Sequence, residues 1–362
     1  MGVAEQGVDG AASRTSRHLP ASIEGEATMS GDIMDRTGLD DGTAQAPMDQ
    51  LRYLTAPLRD VARRHLDPGD HLLTAIYVEH DVRAMSHQTL GIAHETQARL
   101  PTRAFLLTLD RVLILEDPTD PATASADRDY LAASCPLDRI IAYEMRSHLL
   151  DCALTLVLAT PEGNGEPARV TVAYNGAVEP VFLVALACIR AVVDGLPLPS
   201  YTKADETYAR ERTAALATWH QALTGLDMTQ ERAVERYLVA GERIQDCLAV
   251  PVIDESTWWE RLSRTAHEHL RGVLARTDRQ LLLVKETMRI IRSQATHGSD
   301  AWLMPLGHLR TARLVSSEHG RALQFRLEHA GTVDVVRLPL PDALHERALA
   351  LAMQCLQQRD RD

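Results

Sequence analysis

A chain of 362 residues with 45% hydrophobic and 4% aromatic side chains has enough apolar content for two or three domains, with cores built mostly from Leu, Val, Ala and Ile. Its net charge of −12 excludes general attraction to nucleic acid or anionic lipid unless positive charge is concentrated locally. Residues 1–258 hold 22 basic and 38 acidic side chains, whereas 259–362 hold 16 basic and 12 acidic, so only the C-terminal third is positive.

In chain order, residues 1–48 are rich in Gly, Ala, Ser, Thr and Asp without hydrophobic period, which predicts a disordered tail. Ala56–His65 predicts a leading helix and His71–Glu79 a strand. Phe105–Glu116 holds two apolar runs, with Asp110-Arg111 at the turn between them. Ile140–Arg146, Leu154–Ala159 and Arg169–Tyr174 continue as strands, the last alternating with period two. Phe182–Val193 predicts a largely buried helix that Gly195, Pro197 and Pro199 stop. Thr202–Leu223 reads as a charged linking helix and Asp227–Tyr237 as another. Strands follow on both sides of Asp278-Arg279 and over Leu309–Ser316, Ala322–Glu328 and Thr332–Leu338, with a last helix at Ala343–Gln357.

This order is an internal repeat. Leu66–Leu72 is matched by Leu238–Ile244, Leu109–Leu115 by Thr277–Leu283, Cys135-Pro136-Leu137 by Met304-Pro305-Leu306, and Leu154–Leu158 by Leu323–Leu327, at offsets of 172, 168, 169 and 169. The second copy opens on Gly241-Glu242, carries Gly272-Val273-Leu274-Ala275-Arg276-Thr277-Asp278-Arg279-Gln280-Leu281, and has Pro305-Leu306 before its next strand. In these motifs it resembles bacterial pleckstrin-homology (PH)-like and GRAM-like domains. The first copy departs from the pattern: Asp70 stands for Glu, and Thr108 lies one place early.

The resemblance implies an α+β, mainly β fold of two tandem PH-like β-sandwich or barrel domains, each closed by a C-terminal helix. The expected boundaries are 49–196 and 227–358, each with its leading helix, joined by a helical linker over 197–226. PH-like folds bind phosphoinositides, peptides or nothing known, so the resemblance carries no ligand.

Five widely spaced cysteines form no CxxC pair; four fall inside apolar stretches and read as buried, and the set points to a reducing, cytoplasmic setting. Only Lys203 and Lys285 are lysines, a skew that suggests GC-rich coding and a bacterial source. No stretch reaches the ~18 uninterrupted apolar residues of a membrane span. His80, His87 and His94 recur every seven residues, a spacing looser than the i,i+4 of helical metal pairs, so no metal site and no cofactor is expected. No GxSxG, Walker A loop or GxGxxG is present, and the chain is not read as an enzyme. No basic–aromatic stripe crosses either predicted sheet, which argues against nucleic acid.

The candidate binding segment lies between the first two strands of the second copy. Trp258, Leu262, Ala266 and Leu270 step by four, which on a helix makes an apolar stripe; Trp259, Arg261, Arg264 and Arg271 border it. Residues 80–102 correspond in the first copy, with a weaker stripe of Val82, Met85, Leu90 and Ile92. Either the stripe packs on its own protein, or it docks a partner. The expected function is a non-catalytic interaction or scaffold protein with a protein partner, and homo-oligomerisation is a further option. One rival is a peripheral binder of anionic membranes through Arg261, Arg264, Arg271, Arg276 and Arg279. The other is an enzyme with an interdomain site.

Overall fold

The computed structural model describes residues 51–79, 81–89, 92–117, 130–148, 151–160, 165–196, 198, 206–254, 267–291, 294–317 and 320–359. Helix α1 (Ala56–His65) takes a proline in its first turn, where no intrahelical N–H is needed, and ends on Arg63, Arg64 and His65, which complement its dipole. Strand β1 (Leu72–Val78) follows, then β2 (Asp81–Thr89), β3 (Ile92–Leu100), β4 (Thr102–Thr108), β5 (Arg111–Asp117) and β6 (Leu131–Pro136). A 3-10 turn at Leu137–Arg139 leads into β7 (Ile140–His148), β8 (Asp151–Leu158) and β9 (Ala168–Tyr174). Helix α2 (Glu179–Asp194) closes the series, ended by Gly195 at φ 63°, a conformation glycine adopts without steric cost.

The order then begins again. Helix α3 (Glu206–Ala222) connects to α4 (Met228–Glu235), which Asp227 and Gln230 start with a capping box. Strands β10 (Ile244–Asp254), β11 (His267–Thr277), β12 (Gln280–Ile291) and β13 (Gln294–Pro305) precede a 3-10 turn at Leu306–His308. Then come β14 (Leu309–Ser317), β15 (Gly320–His329), β16 (Thr332–Pro339) and helix α5 (His345–Arg359). The fold is α+β and mainly β, with antiparallel pairing in every sheet.

The repetition reaches single hydrogen bonds. The Asp67 N–H donates to Asp70 Oδ2 at 2.8 Å, and the Val239 N–H to Glu242 Oε2 at 3.1 Å. Thr108 Oγ1 accepts from the N–H groups of Asp110 and Arg111, and Thr277 Oγ1 from those of Arg279 and Gln280. The Leu137 N–H then reaches Asp110 O, and that of Leu306 reaches Arg279 O, both at 2.9 Å. These bonds correct the alignment read from sequence. Thr108 matches Thr277, 169 positions on, and is not early; Asp110 is in register with Arg279, not Asp278. A threonine hydroxyl organises each turn, by the local side-chain bonding that also makes Asp a turn former.

Seven strands form one sheet in the order β10-β11-β12-β13-β7-β8-β9. The joint is an antiparallel pairing of β13 with β7, from Gly298↔His148 to Leu303↔Tyr143. Strands β1-β4-β5-β6 and β14-β15-β16 form separate sheets, and β2-β3 a hairpin. The two repeats are therefore not beads on a linker. Leu282 and Val284 of β12 lie in one core with Phe105, Leu154 and Phe182 of the first repeat. Ile141 and Val157 of the first repeat lie in the other core with Phe325 and Leu351 of the second. A third core sits between α1 and the outer face of β4 and β5. Being covered on both faces, β4 and β5 read as continuous apolar runs. The expected linker helix is part of this packing: Trp219 of α3 is 1% exposed, and its Nε1–H donates to Glu242 O at 2.8 Å.

Residues 176–194 are the one segment, among the described helices, long and apolar enough by composition to cross a membrane. Phe182, Ala185 and Ile189 of that segment are fully buried within the protein.

Candidate functional site

Of the six residues singled out from the sequence, Arg271 lies within the described part. Trp258, Trp259, Arg261, Leu262 and Arg264 lie outside the described residues. The expected helix does not extend to its predicted end. Strand β11 begins at His267, so Leu270 and Arg271 pair in a ladder, Leu270 with Ile253 and Thr287, and Arg271 with Glu286. The stripe at spacing four is overridden at this end because β10 and β12 satisfy the backbone from both sides. Residues 81–89 and 92–100 likewise pair as strands β2 and β3 rather than forming a helix, which places Val82 and Met85 on β2 and Ile92 on β3; Leu90 lies outside the described residues. The hairpin sets His87 opposite His94 in the register, while His80 lies outside the described residues. No group of three or more possible metal-ligating side chains occurs among the described residues.

Arg271 borders an open surface concavity of about 270 Å³, lined also by Asp227, Gln230, Ala249, Val250 and Pro251. Three elements build it. The capping box of α4 fixes Asp227, whose Oδ1 accepts from the N–H groups of Thr229 and Gln230 at 2.9 Å. Gln230 is buried, and its Nε2 donates to Gly272 O at 3.0 Å, which locks the helix against β11. A Cβ at Gly272 would run into the carbonyl oxygen of Val284, so only glycine lets the two strands pass here. The Arg271 guanidinium bonds Glu286 on the neighbouring strand and lies 3.4 Å from Asp227 Oδ2. Its charge is thus answered by two carboxylates. The edge strand β10 supplies the apolar wall at Ala249-Val250-Pro251.

A second polar constellation sits at the seam between repeats. Glu242 is buried; its Oε2 accepts from Arg190 of α2 at 2.7 Å and its Oε1 from Thr277 Oγ1 at 2.7 Å. Arg190, only 2% exposed, also donates to Tyr237 O. Burial pushes the nearby Asp194 carboxyl up to about 6, against the pull of the Arg190 guanidinium. His308 and His329 meet with ring centroids 4.4 Å apart, His329 Nε2 lies 2.8 Å from Asp138 O of the first repeat, and burial lowers His308 to about 4. Sequence reading missed both clusters. Glu242 was visible as part of the strand-opening Gly-Glu, but its partner lies 52 residues away on the other repeat's helix.

No protein-family model matches this chain, and no curated protein matches it, so no ligand or activity transfers from a relative.

Proposed function

We propose that the protein is a non-catalytic scaffold of two PH-like modules that docks a protein partner at the β10–β11 end of the second repeat. The observation that carries this reading is the concavity beside Arg271: an apolar edge-strand wall, a pre-paired arginine and a rigid capped helix. Arginine is enriched at interface centres and among hot spots, and interface cores are more apolar than their rims. The PH-like assignment rests on the sequence motifs and on the twice-repeated order of strands ending in one helix. An anionic membrane is disfavoured by the same geometry. Of the arginines proposed for it, Arg271 is held by Glu286 and Asp227, Arg276 is half-buried, Arg279 alone of the described three is exposed, and Arg261 and Arg264 lie outside the described residues, so the described part presents no joint basic surface. The seam between repeats is packed on both faces of the shared sheet, which favours a scaffold over an enzyme with an interdomain cleft. The five thiols, none in a disulfide, accord with the cytoplasm as its place of action.

The test is site-specific photo-crosslinking from Pro251 in the cells that make the protein, together with sedimentation against phosphatidylserine vesicles at low salt. A discrete protein adduct is expected, reduced about tenfold by Arg271→Glu, as for a hot-spot arginine. Sedimentation with the vesicles and no protein adduct would overturn the reading.

A further inference from the structure

The repeats differ in the fate of their fourth core strand. Strands β6 and β13 hold the same position, each ending where the 3-10 turn begins at Leu137 or Leu306. Strand β13 is covered on its far edge by β7. Among the described residues β6 has one strand neighbour, β5.

Among the described residues the outer edge of β6 carries little of the usual protection. Leu131-Ala132-Ala133-Ser134-Cys135-Pro136 contains no charge, Leu131 is 59% exposed, and Ala132 and Ser134 are exposed. Edge strands that stay solitary carry charge, prolines or bulges; the one proline of β6, Pro136, is its last residue and lies beyond the stretch equivalent to the Gly298–Leu303 joint. Ala132 and Ser134 stand where the second repeat has Ala301 and Leu303, both buried against the first repeat. This strand position is therefore already used as a joint once within the chain.

The other half of that joint is not reproduced. Strand β14 occupies the place of β7 and also has a single strand neighbour among the described residues, β15. It exposes Arg310 and Arg313. Arg310, Thr311 and Arg326 stand where the first repeat turns Ile141, Ala142 and Val157 into the second core. A β6–β14 joint between molecules would take the exposed Arg310 and Arg313 and the Arg326–Glu328 pair out of water, at a cost of several kcal/mol. A strand meeting its own copy antiparallel about a two-fold axis has no such cost here, because uncharged residues then face uncharged residues.

We infer that β6 pairs with β6 of a second copy of this chain, joining the two four-stranded sheets into one across a closed, symmetric dimer. The test is sedimentation velocity of the full chain over rising concentration. The mass is expected to move from 40.0 kDa to twice that value and stop. Leu131→Glu and Ala132→Lys should each raise the dissociation constant about tenfold or more, the equivalent of about 1.4 kcal/mol, without lowering the melting temperature. Arg313→Glu on β14 should leave it unchanged. A monomer at every concentration, growth beyond the dimer, insensitivity to both β6 substitutions, or dissociation by Arg313→Glu would each overturn the inference. If Ala132→Lys lowers the melting temperature, Leu131→Glu at its exposed position decides alone.

Discussion

Asp70 and Glu242 occupy the same position in the two repeats and accept the same backbone hydrogen bond from three residues upstream, yet their cationic partners come from different places. Asp70 is answered within its own repeat by Arg111, at 2.7 Å, on the hairpin it faces. Burial opposes ionisation of Asp70 and is the largest single influence, but the Arg111 hydrogen bond, the Asp67 N–H and the Arg111 charge together outweigh it and hold the carboxyl below its ordinary value. Glu242 is answered by Arg190 from the closing helix of the other repeat, with 2% and 0% of the two side chains exposed. The one latches a hairpin. The other latches two repeats together, beneath a tryptophan supplied by the connecting helix. A duplicated local code has thus been kept, while the longer partner in the second copy reaches across the seam.

The largest effects should fall on that difference. Arg190→Met leaves Glu242 buried without its cation, and a loss of about 3–5 kcal/mol is expected. Arg111→Met removes a pair whose arginine is 24% exposed, and about 1 kcal/mol is expected. Urea denaturation of the two variants measures both. Equal losses would break the comparison, because they would mean that the seam pair is no more than a local latch.

A smaller effect separates the residues that precede the two hairpins. Gly272 and Arg103 are equivalent by the offset of 169, but Gly272 gives passage to Val284 O while Arg103 bonds Glu116 at 2.6 Å. Gly272→Ala should cost about 1–3 kcal/mol through overpacking. Arg103→Ala should cost about 1 kcal/mol, the loss of a part-buried hydrogen-bonded pair. Thermal melts in parallel would sharpen the contrast, and a neutral Gly272→Ala would show that β11 and β12 can separate there.

Much of this architecture is legible in the chain, for identifiable reasons. The apolar runs of β4, β5, β11 and β12 stand out because both faces of those strands are covered, and Gly195 marks the end of α2. The β2-β3 pairing was hidden because Asp81–Leu100 has neither clean alternation nor an Asn-Gly or Asp-Gly pair between its halves. Strand β6 was hidden because Leu131–Pro136 is short and mostly small. The fused sheet had no local signal at all. Pairing of β13 with β7 joins residues about 150 positions apart, and no period or motif near Ser299 or Ser147 encodes it. Of the candidate site, Arg271 was found through its neighbours in sequence, whereas Asp227, Gln230 and Pro251 come to it only through folding.

The seam also predicts opposing pH responses from one group of each repeat. Asp194 has a folded value near 6, above its ordinary 3.8, so its contribution is fully present below about pH 4 and is lost as pH rises through 6. Asp194→Asn should therefore stabilise the protein at pH 7 and leave it unchanged at pH 4. His308 has a folded value near 4, below its ordinary 6.5, so its contribution is present above 6.5 and lost as pH falls toward 4. Replacing it with Asn should flatten the acid limb of the stability curve in that window. Urea midpoints between pH 4 and 7 test both signs, and identical curves for wild type and variants would remove the seam as the source of any pH response.

The smallest effect concerns how tightly α3 holds the second repeat. Cys247 is the half-buried one of the five thiols, 3.5 Å from the carbonyl oxygen of Ala222 at the end of α3; its first-repeat equivalent, Ala75, is fully buried. Burial, helped by Asp246, raises the Cys247 thiol above its ordinary value, and burial pushes Cys135 up to about 11 and Cys355 up to about 12. A thiol reagent at pH 8 should label Cys247 first and slowly, with the others reacting only on unfolding. Because Ala222 lies over it, that first rate reports opening of α3 from β10. If Arg190→Met speeds labelling of Cys247 without speeding the rest, the helix and the buried ion pair act as one clasp. If all five thiols accelerate together, opening the seam is the same event as unfolding, and the two repeats are one cooperative unit.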